Sequence, residues 1–144
     1  MMLGDTINFI ELSNNEFVKT SKLYQCSKQR KLRKISAFNN ALEDISNIDF
    51  TKMSNLEEVN FYKNYIAQVQ MEHLQRIKKL YSVDFHDNQI SNITEKAFPE
   101  TFENDYDGVL HKLDLTLNNI KVVDPAVMKN QTHRSINFIH RRTR

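Results

Sequence analysis

A repeating α/β solenoid of stacked parallel strands is the fold class this 144-residue sequence predicts, and three observations predict it. An apolar pattern returns at intervals of about two dozen residues. One asparagine returns with it, always at the same place in the pattern. Glycine and proline number only two each, too few for a chain built of many hairpin turns.

The repeat is read directly from the residues. Leu56, Val59, Phe61, Asn64 and Ile66 align without a gap on Leu80, Val83, Phe85, Asn88 and Ile90, an offset of 24 residues. A further step of 24 towards the N-terminus reaches Leu32, Ile35, Ala37, Asn40 and Leu42, and a step of 25 beyond that reaches Ile7, Ile10, Leu12, Asn15 and Phe17. Towards the C-terminus a step of 30 reaches Leu110, Leu113, Leu115, Asn118 and Ile120. The next unit is expected to start at Ile136, with Ile139 as its second apolar position. Asparagine makes up 16 of the 144 residues, so five matches in one column would arise by chance with a probability of about 2 in 10⁵ before the choice of register.

Alternation identifies the strand in each unit. Apolar Val83 and Phe85 alternate with polar Asp84 and His86, the period of a half-buried strand. No single unit can bury such a strand, whereas stacked units bury equivalent columns against each other. Counting from the first leucine of a unit, columns four and six point inward, and columns three, five, seven and eight face solvent. The ninth-column residues Asn15, Asn40, Asn64, Asn88 and Asn118 stand where the chain leaves the strand, where backbone groups inside the coil need partners that a carboxamide can supply. Their expected role is a buried structural ladder. Phe50 and Met53, Leu74 and Ile77, and Phe98 and Phe102 fall at late apolar columns and complete the far side of each coil. Met71, Leu74 and Ile77 recur at helical spacing within 70–79, which predicts one short helix; irregular or 3₁₀ turns are expected in the other units.

The pattern L-x-x-L-x-L-x-x-N-x-L resembles the leucine-rich repeat, and the resemblance covers residues 7 to about 135. It implies a right-handed solenoid with a parallel sheet on its concave face and short helices or irregular turns on its convex face. The chain then reads as a single array over 1–144, with units 7–31, 32–55, 56–79, 80–109, 110–135 and a partial unit 136–144. The fourth unit carries an acidic insertion between Pro99 and Gly108, expected as a surface loop. Neither end shows the polar or cysteine-bonded caps such arrays use, so an uncapped fragment of a longer array is expected.

Composition narrows the function. Hydrophobic residues at 40% and charged residues at 26% are ordinary for a globular protein. The net charge of +2 gives no electrostatic case for nucleic acid or an anionic membrane. The basic clusters Lys28, Arg30, Lys31, Arg33, Lys34 and Arg141, Arg142, Arg144 lack interleaved aromatics and read as solvated surface. Cys26 is the only cysteine, which rules out an intramolecular disulfide and a paired-cysteine zinc site; it is expected to pack as a small apolar residue. No run of 18 apolar residues exists to span a membrane. The N-terminus lacks the basic start and apolar stretch of a secretory signal. Sequons at Asn92 and Asn130 occur at the frequency expected by chance.

The candidate partner-binding residues lie on the solvent side of the strands. Column seven reads Ser13, Phe38, Tyr62, His86, Thr116, so Phe38, Tyr62 and His86 are expected to form an aromatic stripe roughly 10 Å long. Lys34 and Glu58 flank it in column three, and Asn60, Asp84 and Asp114 in column five. This mixture suits a protein or peptide ligand better than a polyanion. Asp84, Asp114 and His86 contain the elements of a metal or acid–base site, but an open sheet excludes no water and offers no pocket. The expectation is therefore no catalysis, no cofactor and no metal. His73, His111, His133 and His140 scatter over other faces. The unit with a late phenylalanine is similar to that of extracellular leucine-rich repeat proteins, including Toll-type ectodomains and secreted insect immune proteins. That resemblance implies recognition outside the cell, in an innate-immune setting. The alternative is an intracellular scaffold or adaptor with the same solenoid, consistent with the lone cysteine and missing signal.

Overall fold

The computed structural model describes residues 7–18, 29–69, 74, 77, 79–93, 111–123 and 135–137. Six short strands form one parallel sheet in chain order: β1 (Phe9–Glu11), β2 (Lys34–Ser36), β3 (Glu58–Asn60), β4 (Ser82–Asp84), β6 (Lys112–Asp114) and β8 (Ser135–Asn137). A second pair, β5 (Asn92–Ile93) and β7 (Val122–Val123), lies in a separate two-stranded sheet, also parallel.

The register of the main sheet follows the sequence columns. Ile10, Ile35, Val59, Val83 and Leu113 stand side by side across the strands. Inward-facing Ile35, Val59, Val83 and Leu113 are at most 1% exposed, as are Ala37, Phe61, Phe85 and Leu115 two residues on. Parallel strands of three residues cannot be joined by tight turns, and here an entire coil separates each from the next. The interior is continuous from coil to coil: Phe61 stacks on Phe85 with ring centroids 5.9 Å apart and meets the edge of Phe50 at 6.5 Å. Offset and edge-on contacts of this kind suit the aromatic quadrupole.

The first five strands of the main sheet end in the same turn. The eighth-column residues Asn14, Asn39, Lys63, Asp87 and Leu117 all adopt left-handed backbone, with φ between 53° and 59°. Asparagine and aspartate tolerate this conformation, whereas lysine and leucine adopt it at a steric cost of roughly 1–2 kcal/mol. Hydrogen bonds to the next coil over-determine the turn: the N–H groups of Asn14, Asn39, Lys63 and Asp87 donate to the carbonyls of Phe38, Tyr62, His86 and Thr116 at 2.8–2.9 Å.

The ninth-column asparagines then tie successive coils together. Asn64 Nδ2 donates to the carbonyls of Ala37, Phe61 and Tyr62 at 3.0–3.3 Å, and its Oδ1 accepts the Leu42 N–H at 3.1 Å. Asn88 repeats this on Phe61, Phe85, His86 and Ile66, and Asn118 on Phe85, Leu115, Thr116 and Ile90. Asn40, Asn64 and Asn88 are buried, while Asn118 is half-buried. Asn15 differs from the expectation of burial: it is exposed, and its amide reaches only the carbonyls of Leu12 and Ser13 in its own turn. It has no preceding coil among the described residues to lie against.

Two further departures stand out. Ser135, Ile136 and Asn137 pair with Lys112, Leu113 and Asp114, so Ile136 occupies the fourth column and not the first. Ile136 and Phe138 are two residues apart in sequence, the spacing of columns four and six, and this outweighs the three-residue spacing of Ile136 and Ile139. On the far side, a 3₁₀ turn at Phe50–Lys52 fits the expected irregular geometry. The pairing of β5 with β7, and the bridge between Asp44 and Gln68, add strand contacts there that no sequence pattern announced. Leu74 has helical backbone, Ile77 and Lys79 towards the end of the expected helix do not, and its other residues lie outside the described residues. So do Cys26, Phe98, Phe102, the acidic insertion, Asn130, His73, His133, His140 and the terminal arginines. No helix among the described residues is long and apolar enough to cross a membrane.

Candidate interaction face

The outward side of the six-stranded sheet carries the column-three, -five and -seven side chains. Column seven forms a continuous row. Phe38 stacks on Tyr62 at 5.3 Å with an interplanar angle of 25°, and Tyr62 meets His86 at 5.7 Å and 39°. His86 Nδ1 then contacts Thr116 Oγ1 at 2.6 Å. At the other end Ser13 Oγ lies 2.9 Å from Ser36 Oγ and accepts the Phe38 N–H at 3.1 Å. All five column-seven residues are half-buried. The rings cover much of each other's faces, so the stripe presents ring edges to solvent.

Column five holds that row upright. Asn60 Oδ1 accepts the Tyr62 N–H at 3.1 Å, Asp84 Oδ1 the His86 N–H at 2.9 Å, and Asp114 Oδ1 the Thr116 N–H at 3.0 Å. Glu11 Oε1 does the same for Ser13 at 2.8 Å. A side-chain oxygen accepting an N–H two residues on fixes a local turn. These residues therefore shape the strand exit as well as lining the face, which sequence spacing alone did not disclose. Asp84 and Asp114 are in register on adjacent strands.

The Thr116 hydroxyl also touches Asp114 Oδ1 at 2.7 Å. A hydroxyl has one proton, and a carboxylate is the strongest acceptor within its reach. Thr116 therefore donates to Asp114 and accepts from His86, which puts a proton on His86 Nδ1.

Column three pairs Lys34 with Glu58 and also carries exposed Lys112, two residues before Asp114 on β6. Lys34 Nζ lies 2.9 Å from Glu58 Oε2 and 5.7 Å from the centroid of the Phe9 ring. Glu58 Oε1 accepts the Tyr81 hydroxyl at 2.6 Å. The Tyr81 hydrogen bond, then Lys34, hold the Glu58 carboxyl below its ordinary range, and the same bond to Glu58 pushes the Tyr81 phenol up. Next to this pair Arg33 bonds Glu57 through two nitrogens, at 2.8 and 2.9 Å. Such exposed pairs contribute about 0–1 kcal/mol each, but together they bridge successive coils along one flank.

Among the described residues no group of three His, Cys, Asp or Glu side chains could hold a metal ion. A depression on the opposite side, between Asp44, Ser46, Phe50 and Gln68, encloses about 40 Å³. A space of that size takes a water molecule and little else.

Parallel three-residue strands one coil apart, a left-handed turn after each and an amide spine inside describe one architecture. The fold is that of the leucine-rich repeat. The chain is similar to an internalin (inlF) of Listeria monocytogenes, with a TM-score of 0.67 at 20% identity over 92% of this chain and 35% of that one. It is also similar to a leucine-rich repeat protein of Leptospira interrogans (TM-score 0.65, 15% identity, 81% of this chain and 27% of that). For internalin C2 of L. monocytogenes the values are 0.63 and 17%, over 94% of this chain and 51% of that one. The chain thus spans between about a quarter and a half of the length of these proteins. No protein-family model and no curated protein matches the sequence. In this fold the six-stranded sheet is the concave side.

Proposed function

We propose that the chain is a recognition module that binds a protein or peptide on the concave face of its solenoid and performs no chemistry of its own. The observation that carries the reading is the row Phe38–Tyr62–His86, three rings in contact across three coils. Half-buried rings set among fixed polar groups form an amphipathic, rigid surface. Such residues lose little conformational entropy on binding and are enriched among those that dominate interface energies. Lys34, Glu58, Asn60, Asp84 and Asp114 supply the polar rim. The proposed setting is a larger extracellular protein of innate-immune type, a reading that rests on the resemblance of the repeat unit.

The test is to pan a random peptide library on the immobilised chain and titrate the recovered peptides against a variant with Phe38, Tyr62 and His86 all replaced by Ala. Loss of at least about tenfold in affinity is expected for a central aromatic cluster. Affinity unchanged in a variant with an unaltered unfolding transition rules out the concave stripe as the binding face.

A further inference from the structure

The concave face is not uniform along its length. At the Phe38–Tyr62 end, the neighbouring charges neutralise each other in the Arg33–Glu57 and Lys34–Glu58 pairs. At the His86–Thr116 end lie Asp84 and Asp114, and among the described residues neither forms an ion pair with a lysine or arginine. Each carboxylate engages its own turn through Oδ1, which fixes its orientation. The Thr116 hydroxyl proton is given to Asp114 and the His86 Nδ1 proton to Thr116, so neither is free to meet a ligand. Asp84 and Asp114 therefore form a pair of fixed acceptors beside the ring row, with exposed Lys112 two residues before Asp114 on the same strand.

Resting on the concave-face reading above, we propose that the partner is an extended segment with a basic side chain, above all arginine, and an apolar side chain a short distance from it. The guanidinium is planar, cationic and purely a donor, which complements adjacent carboxylates. The apolar side chain lies over Phe38 and Tyr62. Two coils separate the middle of that ring pair from the middle of the acid pair, about 10 Å at strand spacing, which equals roughly one three-residue turn of a polyproline II segment, where side chains three places apart share a face. The recognition pattern is thus an apolar residue followed or preceded three places away by arginine. An acidic segment meets two carboxylates, Asp84 and Asp114, against one lysine, Lys112, among the described residues on this part of the face.

Two capped peptides test the assignment: Leu-Ser-Ser-Arg repeated twice, and the same peptide with glutamate in place of arginine. Both are titrated into the isotope-labelled full chain at low ionic strength, with affinities from the titration and the site from amide shifts. The arginine peptide is expected to bind at least about tenfold more tightly than the glutamate peptide, with shifts centred on residues 60–62, 84–86 and 114–116. The double variant Asp84→Asn, Asp114→Asn keeps the Oδ1 acceptors and is expected to bring the two affinities together. Equal affinities for the wild type, with shifts on the concave face, overturn the basic-partner assignment and leave the concave-face reading standing. Shifts confined to the opposite side, around residues 44–50 and 68, overturn both. Binding of neither peptide overturns the basic-partner assignment.

Discussion

A ninth-column asparagine serves the fold through four hydrogen bonds, three donated by Nδ2 and one accepted by Oδ1. Replacing Asn64 by Ala leaves the buried Leu42 N–H without a partner, at about 1–3 kcal/mol for a stranded group, while the carbonyls of Ala37, Phe61 and Tyr62 keep Asn40, Asn88 and the Asn39 N–H as donors. Chemical denaturation of Asn64→Ala is expected to show a loss of about 2 kcal/mol on that scale. The same change at exposed Asn15, whose bonds stay in its own turn, is expected to cost less than about 1 kcal/mol. Equal losses at the two positions would remove the distinction between a buried spine and a turn residue. The left-handed residues one place earlier show how far the fold overrides local preference. Lys63 and Leu117 adopt φ values that suit asparagine, because an inter-coil hydrogen bond at Lys63 and the strand geometry leave no other exit.

At the scale of the element, neighbouring coils communicate through paired side chains as well as through strands. Glu58 of β3 links Lys34 of β2 to Tyr81 just before β4. Its carboxyl is held below the ordinary value of 4.5, first by the Tyr81 hydroxyl and then by Lys34. A depressed carboxyl stabilises the fold above its unfolded value, and that contribution is lost as pH falls through the folded value. The Tyr81 phenol is raised above 10.0 by the same bond, so its contribution is complete below that pH and is lost as pH rises through the folded value. Stability is expected to lie on a plateau between these limits, with Tyr81→Phe flattening both shoulders in thermal unfolding measured from pH 3 to 11. Shoulders unchanged in that variant would assign them to other groups.

The strands were the legible elements. Three-residue β3 and β4 carry a clean alternation, and the asparagine column fixed their register to the residue. The stripe of Phe38, Tyr62 and His86 followed from that register. Contacts set by side-chain rotamers did not: the turn-forming role of Asn60, Asp84 and Asp114, the Thr116 link and the pairing of Lys34 with Glu58 depend on where flexible side chains point. The pairing of β5 with β7 has no alternation to announce it, since two-residue strands are too short for a period. At β8 the competing apolar spacings around Ile136 hid the register.

For the whole molecule, stacking makes stability a property of neighbours. Each coil buries its apolar columns against the next, and the spine continues that dependence through hydrogen bonds between coils. The concave face inherits its shape from this arrangement. A row of rings spaced by the coil repeat stays in place only while the interior holds the coils in register. The account therefore stands on the spine, and amide hydrogen exchange of the N–H groups of Leu42, Ile66 and Ile90 tests it most directly, because each donates to the Oδ1 of an asparagine in the following coil. Exchange slowed to the rate of the inward-facing strand amides, several orders of magnitude below the unstructured chain, is the expected result. Exchange at these three positions within about tenfold of the unstructured rate, while the strand amides stay protected, would contradict it.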